Sequence, residues 1–262
     1  MLKKLKIIIK ILFIYPIIIV SANNSMAAEG LDLLKNKWSF EGLFGTFDRA
    51  SLRRGYQVYN EVCSGCHSIK LLSYRNLSEK GGPEFSREDS KNIAASFEVI
   101  DGPNSEGEMF TRPGRLSDKF VKPYPNVQAA EAANGGAYPP DMSVLAKARK
   151  DGANYIYSIL LGYEDPPEGF ELDEGVYYNK YMPGHSIKMP NVLFDGLLDY
   201  ADGTEATTQQ MAKDITTFLT WASEPSLEAR HKIGFKVILY LIILAFVVHL
   251  SLKRLWSRIE SK

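Results

Sequence analysis

Cysteine is nearly missing from this sequence: two occur in 262 residues, Cys63 and Cys66. So small a supply excludes the disulfide framework that staples many exported domains, and it excludes a four-cysteine zinc site. Histidine is scarce too, with four residues. A zinc site that used His67 would have to draw on His185, His231 or His249, and the last two flank or sit inside an apolar run. No internal repeat is present, and no long low-complexity tract. The first 30 residues contain no arginine, which argues against an amphipathic, Arg-rich mitochondrial transit peptide. Formal net charge is zero, and no nucleic-acid partner is expected.

The ends of the chain are better supplied. Lys3, Lys4 and Lys6 precede an apolar run over residues 7–20, and Ser25 and Ala27 stand at the spacing of a cleavage site. Residues 1–27 therefore read as a bacterial signal peptide that is removed on export. Near the other end, residues 233–252 form an apolar run of about 20 residues, enough for one helical bilayer crossing. Lys236 lies where it can snorkel to the interface. Lys253, Arg254 and Arg258 follow the run, placing the C-terminus in the cytoplasm. The expected division is a signal at 1–27, an exported (periplasmic) domain at 28–228, an anchor helix at 229–252 and a cytoplasmic tail at 253–262. Basic residues concentrate at the two ends, so the exported domain alone carries about −10. The runs EVIDGPNSEGEM and YEDPPEGFELDEG hold much of that charge and suit a basic soluble partner.

The two cysteines fall within EVCSGCHSIK, residues 61–70. A thioredoxin-like pair expects a strand-to-helix setting, and zinc needs further ligands. Covalent haem uses all three residues: each thiol adds to one porphyrin vinyl group, and His67 ligates iron. Export agrees with that chemistry, and haem would consume both thiols.

Four stretches of the domain read as helix. DRASLRRGYQVYNEV has Asp48 as its N-cap, with Leu52, Tyr56, Tyr59 and Val62 on one face. DMSVLAKARKDG is expected to start at Asp141, and ANYIYSILLG to end at Gly162. TTQQMAKDITTFLTWASEP carries an apolar stripe of Met211, Ile215, Phe218, Leu219 and Ala222. Residues 162–204 have no helical period, and loops of that length are often functional. The fold expected is all-α: a c-type cytochrome domain with long loop insertions plus one C-terminal transmembrane helix. Candidates for a second iron ligand are Met109, Met142, Met182, His185, Met189 and Met211; Met211 belongs to a helix stripe, composition leaves Met109 and Met142 open, and spacing favours Met189, then Met182, then His185. Met182 and Met189 each precede a proline, which stiffens the chain.

Several blocks, in order, resemble the cytochrome c1 family, the haem-bearing subunit of the cytochrome bc1 complex: RRGYQVYNEVCSGCHS, DGPNSEGEMFTRPGRLSDKFVKPYPN, AANGGAYPPDMSVLAKAR, YNKYMPGHSIKMP and YADGTEATTQQMAKDITTFLTWASEP. The resemblance spans nearly the whole mature chain. It implies one covalent haem c on Cys63 and Cys66, with His67 and Met189 as axial ligands. Met182 departs from the family, which tends to have an aromatic residue there. The resemblance also implies haem contacts from Asn134, Ala137, Pro139 and Pro140, and a propionate side formed by Arg149 and Tyr155. Without it, Arg149 reads as a solvated helix face. The implied role is the electron-transfer subunit of a quinol–cytochrome c oxidoreductase, taking electrons from the Rieske iron–sulfur protein and passing them to cytochrome c. Its implied partners are cytochrome b, those two proteins and a second copy of the complex. A free-standing membrane-anchored cytochrome feeding a terminal oxidase or reductase is the alternative.

Overall fold

The computed structural model describes residues 32–260. The signal peptide expected at 1–27 lies outside them. Helix α1 (Arg49–Val58) begins where expected, with the Asp48 carboxylate accepting from the amides of Ala50 and Ser51. Such a cap satisfies donors that the first turn leaves unpaired. Helix α5 (Thr208–Ser223) is capped by Thr207, whose side chain accepts from Gln210 N. The two helices pack against each other, and Gly55 sets how closely they approach. A Cβ at Gly55 would lie 2.1 Å from the Asp214 carbonyl oxygen and 2.7 Å from Phe218 Cβ. The whole expected stripe of α5 is buried, and so are Leu52, Tyr56 and Tyr59 of the α1 face; Val62 is half-buried. Apolar burial of this kind contributes about 1.5–3 kcal/mol per large side chain.

A polar group is buried in the same seam. Asp214 is fully buried on α5, where it accepts from Ser51 Oγ at 2.6 Å and Arg54 Nε at 2.8 Å. Arg54 also reaches Asp202 at 2.7 Å. Ion pairs out of water need this full hydrogen-bonding to be tolerated.

Aromatic rings extend the core from α1. Tyr59 stacks on Phe218 at 5.9 Å, and Tyr74 on Phe120 at 4.8 Å. Around this centre lie α2 (Arg87–Ala95), α3 (Val127–Ala133) and α4 (Gly152–Leu161). Strands β1 (Glu98–Asp101) and β2 (Phe110–Pro113) pair antiparallel, as do β3 (Tyr177–Tyr178) and β4 (Ser186–Ile187). Helices dominate, and these two short pairs add strand that the all-α reading lacks. Arg112 explains the first pair: its guanidinium bridges Asp101 and Asp118, the latter through bonds of 2.6 and 3.0 Å. It thereby fastens the β1–β2 hairpin to the turn that follows.

The helix expected from Asp141 is not formed; residues 141–150 are a run of turns. Tertiary bonds override the helical pattern. Met142 N donates to Ser68 O at 2.8 Å, while the Asp141 carboxylate accepts from Ser68 Oγ and Lys70 N. Asp141 therefore holds the haem-motif loop instead of capping a helix.

The last helix, α6 (Leu227–Glu260), is 34 residues long and unbroken. At 1.5 Å per residue it extends about 51 Å. It is long and apolar enough to cross a membrane, and it starts earlier and ends later than the anchor expected at 229–252. Its first turn belongs to the domain. Glu228 is buried, accepting from Phe47 N at 2.9 Å and Arg49 at 2.8 Å.

Candidate haem site

The Cys-x-x-Cys-His segment continues directly from α1. The helix widens into a π-helical turn over Tyr59–Cys63, and Ser64 N donates to Tyr59 O at 2.8 Å. Such widened turns recur at functional sites. The Cys63 carbonyl then accepts from both Cys66 N (3.1 Å) and His67 N (2.9 Å), which folds the motif into one tight turn. Both thiols are free; Cys63 is half-buried and Cys66 exposed. Burial, together with the neighbouring Cys66, pushes the Cys63 thiol up to about 12.

His67 is buried, with Nδ1 2.9 Å from the Pro140 carbonyl oxygen. A carbonyl only accepts, so Nδ1 carries the proton and Nε2 is the basic nitrogen. Burial lowers the His67 pKa against the opposing pull of that bond, which keeps the ring neutral, as metal ligation requires. The backbone behind it is held as well: Tyr59 Oη donates to His67 O at 3.2 Å. Asp141 braces the loop from the other side. Burial pushes its carboxyl up, but hydrogen bonds from Ser143, Ser68 and Lys70 hold it below the usual range.

The other expected contacts fall in two groups. Asn134 Nδ2 donates to Ala130 O at 2.7 Å and to Tyr124 Oη at 3.1 Å, and that hydroxyl lies 4.0 Å from Cys66 Sγ. Ala137 N donates to Asn134 O at 3.0 Å, and the chain runs on through Pro139 to Pro140 at His67. This block therefore spans from one cysteine to the imidazole. In the second group, Arg149 is exposed, its guanidinium 5.8 Å from the Tyr155 ring centroid, and Tyr155 Oη lies 3.8 Å from Met182 Sδ.

Met189 is half-buried just after β4. Its carbonyl accepts from Tyr163 Oη at 2.9 Å, and the preceding Lys188 donates to Gly135 O at 3.1 Å. Lys188 thus ties the Met189 segment to the Asn134–Pro140 block. Met182 is engaged by Tyr155, and the His185 ring stacks on Tyr178 at 5.6 Å. Tyr124, Tyr163 and Lys188 are supporting residues that sequence reasoning missed, and Asp141 is one that it read as a helix start. Their partners are backbone atoms or distant side chains, which no local spacing signals.

Two free thiols and an adjacent neutral imidazole, oriented by a carbonyl, suit covalent haem with one axial nitrogen. No cluster of three His, Cys, Asp or Glu able to hold a metal ion occurs among the described residues, so the zinc alternative lacks its further ligands there. Residues 38–259 match the Cytochrome C1 family. The chain belongs to the cytochrome c1 family. Members of this family carry one covalently bound haem c. The chain is 49% identical over 242 residues to Cytochrome c1 2, heme protein, mitochondrial, of Arabidopsis thaliana, covering 92% of this chain and 78% of the relative. It is 47% identical over 248 residues to Cytochrome c1 of Rhodospirillum rubrum, covering 88% and 90%. A protein named Cytochrome b/c1 from Bradyrhizobium diazoefficiens is 46% identical over 257 residues, with 90% of this chain and 37% of that longer protein aligned. In this cytochrome c1 family chain, the matched region takes in the whole site and nearly all of α6. It is a haem-bearing electron-carrier subunit of the cytochrome bc1 complex.

Proposed function

We propose that the chain accepts single electrons from the Rieske iron–sulfur protein and delivers them to a cytochrome c, within a quinol–cytochrome c oxidoreductase. Bound haem c supplies one-electron exchange between ferric and ferrous iron. The protein's own work is to hold, orient and dock. Cys63 and Cys66 would hold the haem through thioether links, and His67 Nε2 and Met189 Sδ would ligate its iron. Asn134, Ala137, Pro139 and Pro140 pack the thioether side. Arg149 and Tyr155 would meet a propionate, a role for which a charge-assisted donor is suited. The observation that carries the reading is the His67–Pro140 bond directly behind two free thiols.

Docking and location complete the proposal. Glu164, Asp165, Glu168, Glu171, Asp173 and Glu174 are all exposed in the long loop, and they present a negative field to a basic acceptor. Helix α6 anchors the domain beside cytochrome b, an association supported by the relative whose name joins b with c1. The haem domain faces the exported side, the C-terminus faces the cytoplasm, residues 1–27 are removed, and the complex is dimeric.

A reduced-minus-oxidised absorption spectrum of the chain, tagged at its C-terminus and extracted in mild detergent, tests the proposal. A b-type signal in fixed ratio to the c-type signal is expected. If the gentlest extraction yields c-type haem alone, the free-standing carrier replaces this reading.

A further inference from the structure

Where α6 leaves the domain, a short finger stands beside it. Its base is buried through Trp38, Phe40 and Phe47, with ring centroids 5.6 Å (Trp38–Phe40) and 5.1 Å (Phe40–Phe47) apart. Thr46 N donates to Ser39 O at 3.0 Å and closes the finger. Gly42 turns it at φ +82°, and Gly45 packs so closely that a Cβ would lie 2.3 Å from the Phe40 backbone. Built this way, the finger presents rather than hides its tip: Leu43 is 81% and Phe44 77% exposed. The Phe44 ring lies 6.1 Å from that of Phe235 on α6. Between finger and helix is a cleft of about 270 Å³, lined by Leu43, Phe44, Phe235, His231, Lys232 and Lys236.

The charges at this cleft are uneven. Glu228 also lines it, but its carboxylate is taken by Phe47 N and Arg49. Glu41, exposed in the finger before the tip, is the finger's own carboxylate. Lys232 and Lys236 form no ion pair among the described residues. Four residues apart, they share a helix face. His231 Nδ1 is buried without a partner. Lys232 adds to the positive field at the Glu228 carboxyl, but neither lysine is bonded to it. In a domain of about −10 net charge, two lysines without an ion pair among the described residues and an unpartnered His231 Nδ1 suit an anion from outside. Depth decides which anion. Residues 227–228 are buried in the domain, and residues 237–250 are apolar apart from Tyr240 and His249. Residues 231–236 therefore sit at headgroup level, where lysine and aromatic side chains collect.

We propose that the finger and the first turns of α6 bind an anionic phospholipid of the adjacent leaflet. Lys232 and Lys236 hold the headgroup phosphate, and Leu43, Phe44 and Phe235 take the start of the acyl chains. The inference rests on α6 lying in a bilayer, so its test includes a control for that.

In the haem-loaded full chain both native thiols are thioethers, so single added cysteines can be spin-labelled. Phe44→Cys, Ser105→Cys and Leu244→Cys would be compared in nanodiscs of phosphatidylcholine and phosphatidylglycerol, by oxygen against nickel-chelate accessibility. The oxygen-to-nickel ratio at 44 is expected to approach that at 244 and to exceed that at 105 severalfold. A ratio at 44 equal to that at 105 overturns the finger's insertion; nickel access at 244 removes the membrane anchor itself. Native mass spectrometry from equimolar mixed lipids reads the headgroup. Wild type is expected to favour phosphatidylglycerol about tenfold over Lys232→Gln/Lys236→Gln; equal retention refutes the cleft's role. A photo-crosslink from position 44 to cytochrome b, instead of lipid, in the intact complex also overturns it.

Discussion

His67 closes a turn that follows directly from α1, a helix buried against α5, and that turn is braced by Tyr59, Pro140 and Asp141, whereas Met189 stands after a two-residue strand in a loop with little regular structure. The imidazole's orientation is set by the core. The sulfur's position depends on a few long-range bonds, chiefly Tyr163 to its carbonyl and Lys188 to Gly135. Loops have fewer packed neighbours and open at lower cost than core elements. On the proposed assignment the contrast would divide the labour: a fixed side would secure attachment, and a loop side would tune the iron through the identity and exposure of its ligand.

The sharpest way to break the fixed side is Asp214→Ala. It leaves Arg54 and Ser51 without their buried acceptor, and loss of one buried partner costs about 3–5 kcal/mol. Chemical denaturation of the haem-loaded protein should show that loss, together with impaired haem attachment. Met189→Leu should spare stability and break only the loop side. The potential is expected to fall by about 0.2 V, within the ~0.8 V range that axial ligands command, and the reduced protein should bind carbon monoxide. An unchanged potential and spectrum would remove Met189 as ligand.

Asp141→Ala should lower the unfolding free energy by about 2 kcal/mol and loosen the His67 turn while leaving the 189 segment unchanged in amide exchange. A similar change in both segments would erase the distinction between the two sides. The β1–β2 hairpin provides a region outside both. Arg112 holds the Asp118 and Asp101 carboxyls below their usual 3.8. Carboxyls with depressed values stabilise the fold above the unfolded value and lose that contribution as pH falls through the folded one. Below about pH 4, amide exchange in residues 98–113 should therefore accelerate before the haem bands change. The smallest effect is expected from His185→Phe: its ring is engaged in stacking on Tyr178, and the absorption spectrum should not move. A spectral shift there would reopen bis-histidine ligation.

How far these features were readable in advance follows from the range of the forces that make them. The α1 cap at Asp48, the stripe of α5 and the apolar run of α6 rest on neighbours a few residues apart, so periodicity exposes them. Cys63, Cys66 and His67 are contiguous and stand out for the same reason. Asp141 misled because its capping chemistry was satisfied by Ser68 and Lys70, some seventy residues away. Asp214 gave no local sign either, because Ser51 and Arg54 reach it from some 160 residues away. Arg112 gave no local hint that acids on either side would make it the clamp of a hairpin. Helices α2 and α3, of nine and seven residues, are too short to show a clear period.

Helix α6 runs without a break from a first turn rooted by Glu228 and Arg49 to Glu260. A carrier mounted this way has no joint about which to turn. If its anchor is fixed in the bilayer, the site stays at one height and one heading, like a terminal on a post. On the proposed route, every travelling distance would then fall to the donor that arrives and the acceptor that leaves.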